Sequence, residues 1–185
     1  MPPEAESGQP SLERFRAYLN LLARLHLDPK LRAKVDLSGV VQLTLWEAHQ
    51  SLAKAAGDAD LVKLLRQMLA NNLADEVRKC YADKRDVNRE QSLAALDRSS
   101  IQLEALLAAQ QSSPSLRAER NEDLLRLADA LQQLPEAQRQ AVELHYLCGW
   151  TLAAIAEQMG RAKSAVAGLL HRGLENLRGW FEKTP

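Results

Sequence analysis

The stretch Thr151–Arg178, TLAAIAEQMGRAKSAVAGLLHRGLENLR, decides the fold of this chain. It reads as a short helix, a glycine turn and a longer helix. Ile155, Ala156, Gly160, Val166 and Leu169 stand where a helix-turn-helix needs them. Ala156 is small enough for the second helix to cross close to the first, and Gly160 can take the positive φ of the sharp turn. Val166 and Leu169 turn back onto Ile155. The second helix then presents Lys163, Ser164, Ala167, Gly168, His171 and Arg172 outward, where they can meet a DNA major groove. Thr151 can cap the first helix, whose N-terminal amides suit a phosphate. Ala167 and Gly168 offer no hydrogen bonds to base edges, so Lys163, Ser164, His171 and Arg172 carry the reading. The competing reading is a plain helical hairpin closed by a glycine cap.

The charge balance bounds how such a unit works. The 185 residues carry 24 Lys+Arg and 24 Asp+Glu, a formal net charge of zero. A tail-like, nonspecific nucleic-acid binder is normally strongly basic, so any DNA contact here rests on local patches or on a site completed by a partner. Such a patch exists. Residues 121–160 hold two basic and six acidic groups, whereas residues 161–183 hold five basic and two acidic, a surplus of 5 − 2 = 3 positive charges. The basic end is the one that would touch phosphate.

Upstream, almost everything has helical composition and spacing, and strict β-type alternation is absent. The expected fold is all-α: two small helical domains joined by a linker. Residues 1–11 (from MPPEAESGQP) form a polar, disordered start. Residues 12–98 form the first domain, 99–120 the linker and 121–185 the second domain. Leu12, Phe15, Leu19, Leu22 and Leu25 share one face of a first helix that ends near Pro29. A second helix follows Asp36 or Ser38 as N-cap. After a break around Gly57, a third helix packs Leu61, Leu64, Leu65, Met68 and Leu69 inward. Trp46 is expected in the core, Trp150 beneath the helix-turn-helix and Trp180 at the close of the last helix.

The pattern LPEAQRQAVELHYLCGWTLAAIAEQMG followed by VAGLLHRGLENLR resembles region 4 of bacterial sigma factors of the extracytoplasmic-function class. Leu134, Pro135, Arg139, Leu144, Gly149, Thr151, Ile155, Ala156, Gly160, Val166, His171, Arg172, Leu177 and Arg178 carry the match. In that family the unit reads the −35 promoter element, which implies DNA contacts by Thr151, Lys163, Ser164, Ala167, His171 and Arg172.

The first half is similar to region 2 of the same class. Asp36, Val40, Val41, Gln42 and Thr44 match the helix that docks on the clamp coiled coil of the polymerase β′ subunit. Asn71, Asp75, Arg78 and Lys79 match the helix that recognises and opens the −10 element. The resemblance implies core RNA polymerase (β′ clamp helices and β flap) and promoter DNA as partners, with an anti-sigma factor as a further one. Asp36, Val40, Gln42 and Thr44 would then face polymerase. Lys54, Lys63, Arg66 and Asn71 would line the wall of a captured base, while Arg78, Lys79, Lys84, Arg85 and Arg89 would hold backbone phosphate. Gly39 and Leu43 depart from the pattern, replacing the usual acids of the clamp helix. Leu64 stands where a Trp is common, Ala154 replaces a Glu, and Arg161–Ala162 replaces a Ser/Thr-type start.

Other chemistries find no support. Cys80 and Cys148 lack a CxxC or a nearby ligand partner, so both are expected as packed, reduced thiols. His26, His49 and His145 show no metal-ligand spacing, and no phosphate loop, nucleophile–base pair or catalytic carboxylate pair occurs. The chain is expected to be a non-enzymatic, cofactor-free, cytoplasmic protein without a membrane contact. Two alternatives remain: an autonomous helix-turn-helix regulator, and a degenerate sigma-like protein that binds polymerase or an inhibitor without initiating transcription.

Overall fold

Large apolar residues at every third or fourth position shape each element. The computed structural model describes residues 12–27, 32, 34–51, 58–80 and 117–183, and among them there is no strand. A 3₁₀ turn at Leu12–Phe15 runs into α1, Arg16–His26. Next come α2, Leu37–Ser51, and α3, Asp58–Cys80. The second half contains α4, Arg117–Gln133, and α5, Glu136–Val142. A π-helical turn, Glu143–Leu147, precedes α6, Leu152–Met159, and α7, Lys163–Lys183. Residues 1–11, the Lys54 loop and Lys84, Arg85 and Arg89 lie outside the described residues. So does most of the expected linker, and α4 already begins at Arg117, ahead of the boundary expected at residue 121.

In the first half, Phe15, Tyr18, Leu19 and Leu22 pack with Leu61, Leu65, Leu69 and Leu73, all essentially inaccessible to solvent. Leu12, Leu25, Leu64 and Met68 sit at the margin, half-buried. Asp36 starts α2 by accepting the Gly39 N–H at 3.0 Å. A short buried polar chain then fixes α2 on α3. Thr44 Oγ1 donates to the Val40 carbonyl at 2.8 Å and accepts from Asn72 Nδ2 at 3.1 Å. The Asn72 amide also donates to Glu47 Oε2 at 2.9 Å. These bonds matter because a buried hydroxyl or amide left without partners loses its hydration with nothing in return.

Trp46 corrects the sequence expectation: it is 57% exposed. The inward stripe of α2 consists of Val40, Val41, Thr44, Leu45 and Ala48. At 100° per residue, position 46 falls on the opposite side, together with Gly39, Gln42 and Leu43. Trp150 does pack against the core as expected, half-buried, and Trp180 packs there too with its ring edge-to-face against Phe181. Cys148 is a free, half-buried thiol, and burial pushes its pKa up.

The two halves share one hydrophobic core. Helix α4 packs on α1 and α3 of the first half and on α7 of the second. Across the same joint, Arg24 of α1 reaches Glu143 of the π turn at 2.8 Å.

Helix α7 crosses α5 closely at Gly173, where a Cβ would lie 2.8 Å from Val142 Cγ2. Gly179, on the same helix, has open space around it. Gly173→Ala is therefore expected to lower stability by about 1–3 kcal/mol through overpacking. Gly179→Ala is expected to raise it by about 0.5–1 kcal/mol through helix propensity. Thermal melts followed by circular dichroism check both signs.

Candidate nucleic-acid interface

The helix-turn-helix is built from local signals that the structure realises one by one. Thr151 is the N-cap of α6, and its hydroxyl accepts the Ala154 N–H at 3.3 Å. Gly160 ends that helix at φ 60°, in the left-handed region. Its N–H donates to the Glu157 carbonyl at 3.2 Å, and the Arg161 N–H donates to the Ala156 carbonyl at 2.9 Å. This crossed pair satisfies carbonyls that the helix end would otherwise leave open. The tight exit lets Val166 and Leu169 return onto Ile155, and all three are buried.

The face of α7 opposite that core is open. Lys163, Ser164, Ala167, His171 and Arg172 are all exposed, with Gly168 half-exposed among them. Arg172 extends along the helix and lies across Gly168: a Cβ there would come within 3.3 Å of its Nη1. The bare glycine thus makes room for a guanidinium on the outward face. His171 Nε2 stands 3.3 Å from Glu175 Oε1, so the far end of this face carries an acid as well. Glu175, and Arg161 exposed at the turn, were not among the residues expected to contact DNA. A cation at the start of the face and a second cation laid along it suit a phosphate-flanked groove.

The side chains assigned to the −10 element are more scattered. Lys63 is exposed and Asn71 half-buried on α3. Arg66 is withdrawn from that surface, because its Nε donates to the buried Tyr18 hydroxyl at 2.7 Å. Arg78 pairs with Asp75 at 2.6 Å and Lys79 with Glu76 at 2.8 Å, which makes that end of α3 mixed in charge. Lys54 lies outside the described residues.

On α2 the structure separates the residues assigned to polymerase. Asp36 and Gln42 are exposed, whereas Val40 and Thr44 are buried against α3 and cannot touch a partner directly. Their places on the open side are taken by Leu43, 43% exposed, and Trp46. Asp36 also explains Gly39. A Cβ at position 39 would lie 2.4 Å from Asp36 Oδ2, so the carboxylate of Asp36 occupies the space a side chain there would need. Asp36, Glu47, Asp75, Glu76 and Lys79 border one groove between α2 and α3, where carboxylates outnumber the ammonium without an acid at 39 or 43. Among the described residues no cluster suited to a metal ion occurs, and no helix is long and apolar enough to cross a membrane.

Residues 124–177 match the family model for sigma-70, region 4. No curated protein matches the chain. The matched segment runs from α4 to α7 and contains the whole helix-turn-helix.

Arg172→Ala is expected to weaken binding to duplex DNA and to lower the slope of log affinity against log salt by about one, the signature of one lost phosphate contact. Filter binding across a salt series checks this, with the helical signal unchanged because Arg172 is exposed.

Proposed function

We propose that this protein is a promoter-specificity subunit of RNA polymerase, of the extracytoplasmic-function type. The carrying observation is the helix-turn-helix itself: the sigma-70 region 4 match coincides with a capped, tightly turned unit whose outward face is open and cationic at its start. In this reading α7 enters the major groove of the −35 element. Lys163 and Arg172 hold phosphate, and Ser164 and His171 reach base edges. The amides at the start of α6, beside Thr151, take a further phosphate. The β flap of polymerase would hold this half in place.

The first half supplies the other two tasks. The outward side of α2, with Gln42, Leu43, Trp46 and the carboxylate of Asp36, docks on the β′ clamp helices. Val40 and Thr44 serve that surface from behind by fixing α2 on α3. Lys63 and Asn71, both on α3, hold the opened −10 strand, and Lys54 is assigned to the same strand. The protein supplies recognition, and the chemistry of RNA synthesis stays with polymerase. The neutral net charge fits this division, since the free chain has little general attraction for DNA.

Run-off transcription with purified core polymerase tests the proposal: a promoter-dependent transcript is expected only when the protein is added. Its absence, with the protein folded, would leave an autonomous regulator or a non-initiating polymerase binder. Gln42→Arg and Trp46→Ala are each expected to reduce retention of core polymerase by roughly tenfold, the size of about 1.4 kcal/mol at an interface. Circular dichroism should show unchanged helicity, because both residues are exposed.

Asn71→Ala addresses strand opening. Polymerase binding and −35 contact are expected to persist while permanganate reactivity of −10 thymines falls. A template with a premelted bubble is expected to restore most of the transcription, because it removes an unpairing cost of a few kcal/mol.

A further inference from the structure

The open face of α7 ends in an acid, which by itself works against a phosphate backbone. Glu175 Oε1 stands 3.3 Å from His171 Nε2, and both side chains are more than half exposed. At 100° per residue, Ser164, Ala167, His171 and Glu175 fall within an arc of about 80°, on one stripe. From Lys163 to His171 that stripe runs about 12 Å, the width of the major groove. Glu175 lies about 6 Å further on, at the rim where phosphates pass. In the free protein the pair adds little to stability, because both groups are hydrated and screened. Arg172, three residues before Glu175, lies the other way, across Gly168. The carboxylate is therefore left to the imidazole. In a neutral imidazole one ring nitrogen donates and the other accepts, and an ionised carboxylate only accepts. Nε2 then carries the proton, and Nδ1 keeps its lone pair. Among the described residues nothing bonds Nδ1, and the His171 side chain is 74% exposed.

We infer that Glu175 fixes the proton of His171 on Nε2, so that Nδ1 meets the groove as an acceptor and selects a base amine. This rests on the placement of α7 in the major groove proposed above. The amines in that groove are adenine N6 and cytosine N4, whereas guanine N7 and O6 and thymine O4 only accept. An acceptor at one site thus favours adenine or cytosine over guanine or thymine on the strand that His171 meets. The opposite tautomer, with the proton on Nδ1, would reverse the choice. The other polar groups of the face draw no such line: Lys163 and Arg172 only donate, and the Ser164 hydroxyl rotates to donate or accept. Contact with DNA removes water from the His171–Glu175 pair, and a bond that is weak when hydrated strengthens there. Glu175 touches no base. It is a positioning residue that acts through the imidazole.

The test selects duplexes with a randomised segment on the full chain, at low salt and about pH 8, above the ordinary imidazole pKa of about 6.5. The parent is expected to enrich adenine or cytosine at a position where His171→Ala enriches no base. Glu175→Ala is expected to lower that preference several-fold, because the released ring can take either tautomer. Glu175→Gln is expected to keep it, since the amide oxygen still accepts the Nε2 proton. Both changes at 175 remove one negative charge, so both should bind duplex DNA of any sequence more tightly. A Glu175 that only repels phosphate would show that gain and nothing more. Circular dichroism should be unchanged in all three variants, because both positions are exposed. A preference kept by Glu175→Ala, or lost equally in Glu175→Gln, overturns the role of Glu175. Guanine or thymine at the position set by His171 overturns the acceptor assignment. In each of those cases sequence reading by α7 stands. A parent that selects no sequence overturns the placement of α7 in the groove, and the role of Glu175 with it.

Discussion

Burial of α4 between two sets of helices is the constraint on which the rest of the structure depends. A helix with apolar residues around more than half of its circumference cannot stay on a surface. It must be covered on two sides, and the chain provides α1 and α3 on one and α7 on the other. That requirement sets where the second half sits on the first. It also carries Glu143 to Arg24, because the π turn follows α5 directly and faces the same joint. A buried ion pair adds little net stability, yet removing one partner costs about 3–5 kcal/mol because the other charge stays behind. Such a pair selects one docking arrangement over others more than it strengthens that arrangement.

The two open faces have contrasting chemistry. The open side of α7 is polar and basic at its start, with a bare Gly168 that lets the Arg172 side chain lie close to the backbone. The open side of α2 pairs apolar Leu43 and Trp46 with a bordering acidic groove. Apolar area of that kind is stable in water only as a small patch, and a partner that covers it gains the hydrophobic term. Without acids at 39 and 43, the acids of α2 beside that groove are Asp36, which folds over Gly39, and Glu47, which is held by Asn72.

Local signals were legible because they act over a few residues. Thr151 as cap, Gly160 in the left-handed turn and the return of Val166 and Leu169 onto Ile155 follow from spacing and backbone sterics. Trp46 was misplaced because it was grouped by helical spacing with Leu43, and the two share the open side of α2. Val40, Thr44 and Arg66 were assigned to partners by pattern matching, which records that a position is used without saying whether it faces the partner or supports the residue that does.

By itself, then, the sequence determined an all-helical chain, the turn at Gly160, the face of α7 that points outward and the charge that face carries. These depend on residues within one or two helical turns of each other. Only the tertiary structure decided that Asn72 ties α2 to α3, that Arg66 belongs to Tyr18, and that Arg24 answers Glu143. Each of those bonds joins residues at least 25 positions apart, and Arg24 and Glu143 are separated by 119. Such partners are chosen by how whole helices pack, and no local period encodes that choice.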